Sequence, residues 1–164
     1  MRIGIISDSH GKADRLREAV EVLSREGAEV LVHCGDIGSV ECLELLASNG
    51  ARAYAVAGNM DRKVQRLAHE ATRLGVQFGW EVVEVPLGDG QYLVATHGHD
   101  EDILGELVLG QQFPYVCHGH THEKRDECYG PTRIINPGAL HHADPYTVAL
   151  LDTDSDELRH IPVC

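Results

Sequence analysis

The stretch Arg2–His10, RIGIISDSH, decides the fold and supplies the first candidate site residues. Its opening part, Arg2–Ile6, is apolar and rich in isoleucine, which predicts a buried strand. Asp8 and His10 follow that strand directly. The sequence therefore brings a carboxylate and an imidazole to the end of a strand, and later segments repeat this arrangement.

Short apolar runs alternate with helical patterns in the first part of the chain. The runs Val30–Cys34 and Ala51–Ala57 are predicted strands. The predicted helices are Lys12–Glu26, Val40–Ala47 and Gln65–Leu74. Strand–helix–strand alternation of this kind predicts right-handed βαβ units and a parallel sheet.

After Gly75 the chain is mainly strand-like, with one helical stretch at Asp102–Leu109. Turn signals at Leu87–Gly90 and Tyr129–Pro131 predict hairpins. We expect this half to form a second, largely β layer on the first sheet, which gives an α/β fold with helices outside two sheets. The predicted strands are Glu81–Val85, Gln91–Ala95, Tyr115–His118, Thr132–Ile135, Thr147–Leu151 and Glu157–Val163.

Length and composition limit the classes of function. A chain of 164 residues predicts a single domain over residues 1–164, and its apolar runs are too short for a membrane span. With 14 Lys+Arg against 26 Asp+Glu the formal net charge is −12, which disfavours a nucleic-acid polymer or an anionic lipid surface as partner. A phosphate-bearing substrate would then need a local positive charge, which bound divalent cations supply.

The cysteine pattern and the first residues predict a compartment. Five cysteines make an odd count without CxxC spacing, and the strand-like run after Met1 leaves no signal-peptide pattern. We therefore expect a reducing, cytoplasmic environment.

Polar residues follow the other predicted strands as well. Asp36 comes after the second strand, and Asn59 and Asp61 come after the third. Because the carboxyl ends of parallel strands share one edge of the sheet, where α/β proteins bind ligands, these side chains are expected to converge. Taken alone, such Asp and Asn residues are commonly helix caps or turn residues, and Asp61 is expected to cap the helix after it.

Histidines occupy the corresponding places in the second half. His97 follows one predicted strand, and His120 and His122 follow the next. Together with the first set they form a mixed oxygen and nitrogen donor set suited to Mn, Fe, Ni or Zn rather than Ca. Two carboxylates, one amide and four imidazoles are too many for one ion, so a dinuclear site is predicted. The candidate ligands are Asp8, His10, Asp36, Asn59, His97, His120 and His122.

Five short motifs, in order from residue 8 to residue 138, resemble the metallophosphoesterases of calcineurin-like fold. The likeness is to their short bacterial and archaeal phosphodiesterase branch, often called YfcE-like. The motifs are Asp8-Ser9-His10, Gly35-Asp36, Gly58-Asn59-Met60-Asp61, His97-Gly98-His99 and Gly119-His120-Thr121-His122, with a further Asn136-Pro137-Gly138 turn.

The resemblance implies a fold, a reaction and a ligand assignment. The fold is a four-layer α/β/β/α sandwich with two central mixed sheets, and the reaction is hydrolysis of a small phosphate ester, diesters above all, by a metal-bridging hydroxide. The usual cofactor is a pair of divalent ions, most often Mn. Asp8, His10 and His122 would hold the first ion, Asn59, His97 and His120 the second, and Asp36 would bridge them. Asn59 would thereby belong to the catalytic site. The resemblance also implies a possible homodimer, because homodimers are common in the branch.

One position departs from the larger phosphatases, which place a histidine after Gly-Asn as a proton donor or phosphate ligand. This chain has Met60 there, and a thioether can take neither role. His99 is the candidate replacement, and its alternative role is to orient a ligand. We interpret His33 and His118 as hydrogen-bonded structural histidines, and His141 and His142 as surface residues that could approach the cleft.

A second reading of the same motifs is a protein-interaction scaffold, because the eukaryotic retromer subunit of similar fold serves mainly in that way. A scaffold has no physical need for four imidazoles and two carboxylates in one cleft. The complete set of candidate ligands therefore favours an enzyme.

Overall fold

The computed structural model describes residues 1–164, with four helices around two central sheets. The first part of the chain contains β1 (Arg2–Ile6), α1 (Ala13–Arg25), β2 (Val30–His33), α2 (Val40–Ala47), β3 (Arg52–Val56) and α3 (Val64–Leu74). The remainder contains β4 (Gln77–Gly79), β5 (Val82–Pro86), β6 (Tyr92–Thr96), α4 (Glu101–Leu109), β7 (Tyr115–Cys117), β8 (Lys124–Tyr129), β9 (Thr132–Pro137), β10 (Tyr146–Asp152) and β11 (Glu157–Val163).

The first sheet has the order β11-β10-β1-β2-β3-β4. Strands β1 to β4 are parallel, as the βαβ pattern predicts, whereas β10 runs antiparallel to β1 with Ile3 opposite Leu151. The expectation that all second-half strands form a separate layer is therefore wrong for β10 and β11. These strands cover the edge of β1 that β2 leaves free.

The second sheet has the order β5-β6-β7-β9-β8 and is also mixed. β6, β7 and β9 run parallel, and the turns of the antiparallel pairs β5–β6 and β8–β9 lie at the two predicted turn signals. Both central sheets are thus mixed, and the predicted α/β fold with two sheets inside is confirmed.

Sequence analysis missed the strands β4 and β8. β4 has only three residues and directly follows α3, so its apolar content is too small to stand out. β8 has the sequence KRDECY, none of it buried, and its extended shape comes from pairing with β9 rather than from a pattern of its own.

Alternation along β1 sorts its side chains between two cores. Ile3 and Ile5 belong to the core between the sheets, and Ile6 belongs to the core beneath the helices. The helices cover the first sheet with regularly spaced apolar residues, such as Leu16 and Leu23 of α1. α4 connects the parallel neighbours β6 and β7, so it crosses the outer face of the second sheet.

This arrangement places the carboxyl ends of β1, β2, β3, β6 and β7 at one end of the molecule, where the loops with the predicted ligands meet. None of the four helices is long and apolar enough to cross a membrane.

Two glycines give opposite expectations for stability. A Cβ on Gly4 of β1 would lie 2.8 Å from methyl groups of Leu23 and Leu31, whereas a Cβ on Gly105 of α4 meets nothing within 4 Å. We expect Gly4→Ala to lower the free energy of unfolding by about 1–3 kcal/mol through overpacking. Gly105→Ala should raise it by up to about 1 kcal/mol, because alanine is the better helix former.

Chemical denaturation of both variants beside the parent protein tests this pair. A Gly4→Ala protein as stable as the parent would show that α1 does not pack closely on β1.

Candidate metal centre

The loops that carry the candidate ligands have an unusual backbone conformation. Asp8, His10 and Asp36 have φ values of 54°, 46° and 54°, and His120 and His122 have 67° and 61°. Non-glycine residues rarely adopt this left-handed conformation, which costs on the order of 1 kcal/mol or more at each position. Such strain clusters at functional sites, where the surrounding structure holds it in place.

Three side chains meet at the first of two candidate ion positions. Ligand atoms of Asp8, His10 and His122 all lie within 4.8 Å of one another. Oδ1 of Asp8 lies 3.2 Å from Nε2 of His122 and 3.8 Å from Nε2 of His10. One carboxylate and two imidazoles therefore face a common space.

The second position is built around His97. Its Nδ1 donates to the Cys34 carbonyl at 2.8 Å, which leaves Nε2 as the ligand atom. That Nε2 lies 2.9 Å from Oδ1 of Asn59 and 3.3 Å from Oδ2 of Asp36. Ligand atoms of Asp8, Asp36 and His97 lie within 4.8 Å of one another and form a second group of converging donors.

Asp36 lies between the two positions. Its Oδ2 is 3.4 Å from Nε2 of His10 in the first group and 3.3 Å from Nε2 of His97 in the second. Its other oxygen, Oδ1, accepts a hydrogen bond from the Met60 N–H at 2.8 Å, which fixes the carboxylate in this orientation.

The residues fit divalent metal ions. Oδ1 of Asp8 and Nε2 of His10 are buried and have no hydrogen-bond partner. Leaving such atoms unpaired costs about 1–3 kcal/mol each, and more for a charged group. A cation in the shared space would satisfy both atoms, so the donor set is suited to metal.

Asp36 and His97 each stabilise the charged form of the other. Burial acts to raise the pKa of Asp36, but His97 and the Met60 N–H outweigh it and hold that pKa below its usual value. Burial likewise acts to lower the pKa of His97, but Asp36 and the Cys34 carbonyl outweigh it and raise that pKa. A metal ion at this position would compete with the proton on His97.

His120 lies at the outer side of the second position. Its ring is edge-on to the His97 ring, with centroids 5.2 Å apart. The backbone N–H of His120 donates to Oδ2 of Asp8 at 3.1 Å. The buried Asn136 supports this loop, because its Nδ2 donates to the Gly119 carbonyl at 3.0 Å and to Oγ1 of Thr121 at 3.1 Å.

Asp61 has a different role from the one predicted. It does not cap α3, whose N-cap position is Lys63 without a side-chain hydrogen bond. Its buried carboxylate instead accepts from the N–H groups of Ile37 at 3.2 Å, Gly38 at 2.8 Å and Gly58 at 2.8 Å. Asp61 therefore ties the loop after β2 to the loop after β3.

Two motif glycines allow close approaches between these loops. A Cβ on Gly58 would lie 2.1 Å from Oδ1 of Asp36, and a Cβ on Gly119 would lie 1.8 Å from Oγ of Ser7. Any side chain at either position would displace a candidate ligand or the residue next to one.

Four of the remaining histidines divide into two groups, of which the first lies near the centre. His99 is exposed, with its ring centroid 5.4 Å from that of His97, and burial together with His97 and His120 lowers its pKa. The His141 ring lies 4.9 Å from the His10 ring, and partial burial and His142 lower the pKa of His141 to about 4. Sequence analysis treated His141 as a surface residue, and the only signal for its position was its place after the Asn136-Pro137-Gly138 turn.

The second group is internal. His33 is buried, with Nε2 2.8 Å from Oγ of Ser9, and burial lowers its pKa to about 3. His118 is buried with Nδ1 3.1 Å from the Gly119 carbonyl. β7 ends at Cys117, one residue before the predicted end at His118, so His118 and His120 both lie in the loop after the strand, and His120 has a left-handed backbone.

Carboxylates, an amide and imidazoles around one cleft, at the carboxyl edge of two packed α/β sheets, indicate a metal-binding α/β protein. Comparison with known families identifies which one. Residues 1–156 match the calcineurin-like phosphoesterase superfamily domain, and the chain belongs to that family. It is a metal-dependent phosphoesterase.

Individual relatives agree with this assignment. The chain is 29% identical to phosphodiesterase MJ0936 of Methanocaldococcus jannaschii over 98% of both chains, and 28% identical to phosphodiesterase YfcE of Escherichia coli over 94% of this chain and 89% of the relative. A solved archaeal phosphodiesterase superposes with a TM-score of 0.90 at 29% identity, with 100% of both chains covered. Vps29 of Entamoeba histolytica, solved with Zn²⁺, shares the fold at a TM-score of 0.64 and 18% identity over 96% of this chain and 89% of Vps29.

The bonds made by Asp61 predict a positioning role. We expect Asp61→Ala to lower the free energy of unfolding by about 2–4 kcal/mol, because three N–H groups lose their acceptor and those of Ile37 and Gly58 are buried. Metal affinity should fall as well, since the loops of Asp36 and Asn59 are no longer tied together. Thermal melts and metal titrations measure the two effects.

Asp89→Ala is the matched control, because Asp89 is exposed and accepts one N–H, that of Gln91, in a hairpin turn. Equal effects of the two substitutions would contradict the role assigned to Asp61.

Proposed function

We propose that the chain hydrolyses small phosphodiesters at a centre of two divalent transition-metal ions. The observation that carries this proposal is the position of Asp36, one oxygen of which lies at similar distances from Nε2 of His10 and Nε2 of His97. A carboxylate oxygen placed between two donor groups is the geometry that a bridging ligand needs.

The proposed ligand assignment is the one that the family resemblance implies, and the two groups of converging donors, Asp8, His10 and His122 and Asp8, Asp36 and His97, support part of it. Asp8, His10 and His122 would hold the first ion, Asn59, His97 and His120 the second, and Asp36 would belong to both. When bound, such ions polarise phosphoryl oxygens and lower the pKa of water. Mn is the proposed native metal, with Ni, Fe or Zn as alternatives of the same donor preference.

The residues of the chain have separate tasks in this proposal. His97 is oriented by the Cys34 carbonyl, and Asn59 by its contact with His97, so neither ligand has to reorganise on metal binding. Asn59 thereby belongs to the catalytic site. His99 lies on the outer side of His97 and His120, where it can donate a hydrogen bond to the substrate phosphate or a proton to the leaving group.

Diesters are the proposed substrate class for two reasons. The relatives MJ0936 and YfcE are named phosphodiesterases. In addition, the half-exposed Met60 beside the centre offers no donor to a dianionic monoester.

The remaining parts of the proposal concern the whole molecule. Residues 1–164 form one metallophosphoesterase domain in the cytoplasm, and a reducing compartment fits the five free cysteines. A homodimer is proposed because α4 has apolar residues and none of them is fully buried. A nucleic-acid polymer is not proposed as substrate, in view of the net charge of −12.

A scaffold of the retromer-subunit type is the alternative and is not favoured. Without metal, the unpaired buried ligand atoms of Asp8 and His10 and the left-handed backbone at Asp8, His10 and Asp36 only lower the stability of the protein. A role in protein interaction alone gives no reason to retain them.

The bridging role of Asp36 is tested by metal content. Protein loaded with Mn should hold about two ions per chain. Asp36→Ala should reduce occupancy at both positions and abolish hydrolysis of bis(4-nitrophenyl) phosphate, because each ion loses a ligand. Elemental analysis of the purified variant gives the count, and undiminished metal content would rule out a bridging role.

The role of His99 is tested with two leaving groups. We expect His99→Ala to lower turnover of an alkyl diester by ~10²–10⁴-fold if the imidazole donates a proton. The loss with a nitrophenyl diester should then be much smaller, because nitrophenolate needs little protonation. Metal content should stay unchanged in the variant.

Other results assign His99 differently. Equal losses on both substrates would point to phosphate binding, and loss of metal would place His99 among the ligands. Full activity on both would remove it from the mechanism.

A further inference from the structure

A pocket of about 460 Å³ opens beside the candidate metal centre. Three cationic residues, Arg62, Lys63 and Arg66, line it together with the apolar residues Val40, Met60 and Leu67. These six residues are called the basic pocket below. Its lining comes from the start of α2, from the loop after β3 and from the first turn of α3.

The basic pocket reverses the charge of the chain locally. The protein has a formal net charge of −12, yet three of its 14 Lys and Arg residues occur within five positions here. All three are exposed, and none forms a salt bridge. Unpaired cations that line a concave surface make a site for an anion.

Nearby carboxylates do not neutralise these cations by pairing with them. Asp61 also lines the pocket, but its two oxygens accept the three backbone N–H groups described above. Glu70 follows Arg66 by one turn of α3 and is bound to Arg73 at 2.7 Å. The N-terminus of α2 adds a partial positive charge at Ser39 and Val40.

The pocket adjoins the candidate metal centre through the backbone. Met60 lines the pocket with its half-exposed side chain, while its N–H donates to Oδ1 of Asp36 at 2.8 Å. Asn59, a candidate ligand, is the preceding residue. The loop after β3 therefore contributes residues to both the candidate metal centre and the pocket.

We propose that the basic pocket binds a second phosphate group carried by the substrate, at a distance from the phosphorus that is hydrolysed. Arg62, Lys63 and Arg66 hold that phosphate by charge-assisted hydrogen bonds, and Met60, Val40 and Leu67 contact the apolar part of the same ester group. This inference rests on the proposed function and narrows its substrate class to phosphodiesters with a terminal phosphate.

Kinetics with three matched thymidine dinucleotides test the proposal: one without a terminal phosphate, one with a 5′-phosphate and one with a 3′-phosphate. Cleavage of the internal diester is followed by chromatography with the Mn-loaded enzyme. We expect one phosphorylated substrate to have a KM about 10-fold or more below that of the unphosphorylated one, with similar kcat.

The variants decide which residues bind the second phosphate. Arg62→Ala/Arg66→Ala should abolish the KM advantage, and Arg62→Lys/Arg66→Lys should retain most of it. Arg17→Ala/Arg25→Ala is the matched control, because it removes the same charge from α1, where both arginines line a different pocket. An advantage that persists in Arg62→Ala/Arg66→Ala, or is absent from the parent protein, would overturn the proposal.

Titration of metal-free protein with inorganic pyrophosphate separates this inference from the proposed function. The parent protein should bind pyrophosphate without metal, and Arg62→Ala/Arg66→Ala should weaken that binding about 10-fold or more. Absent binding, or equal binding by the variant, would refute the pocket even in an active enzyme. Failure of the Mn-loaded parent protein to cleave any diester would instead refute the proposed function and leave the pyrophosphate result to decide the pocket.

Discussion

The carboxylate of Asp36 is the group on which the rest of the site depends. One oxygen is fixed by the Met60 N–H, and the other faces His10 and His97 together. This position requires the chain to turn sharply after β2, with φ of 54° at Asp36, and requires Gly58 to have no side chain. The loops after β1, β2 and β3 therefore cannot be changed independently of one another.

The two packed sheets provide the rigidity that holds these loops. Ile3, Ile5, Val30 and Val32 are fully buried between the sheets, so the strand ends that carry the loops have little freedom to move. The buried carboxylate of Asp61 then fixes the loops after β2 and β3 relative to one another through its hydrogen bonds. Strain in the ligand loops is thus balanced by packing and hydrogen bonds outside the cleft.

Sequence reasoning succeeded where a local pattern carries the information. Buried parallel strands are continuous apolar runs, so β1 was visible, and the motif order identified the family. β8 has no such pattern, because its shape depends on its partner strand. Asp61 was misassigned because an Asp before a helix resembles a cap, and two of its three partners, Ile37 and Gly38, lie more than 20 residues away.

The net charge of the chain also fails to predict a local feature of the structure, the basic pocket. The formal net charge of −12 determines the long-range electrostatic force on a polyanion, and that force is repulsive. Salt screens charges beyond a Debye length of ~8 Å at physiological ionic strength, so the potential at a binding site is set by the charges closest to it. Arg62, Lys63 and Arg66 are close together because a loop and the first turn of α3 place them along one pocket, beside a carboxylate whose oxygens already accept backbone N–H groups. A chain with a net charge of −12 can therefore still carry a local site for a small anion.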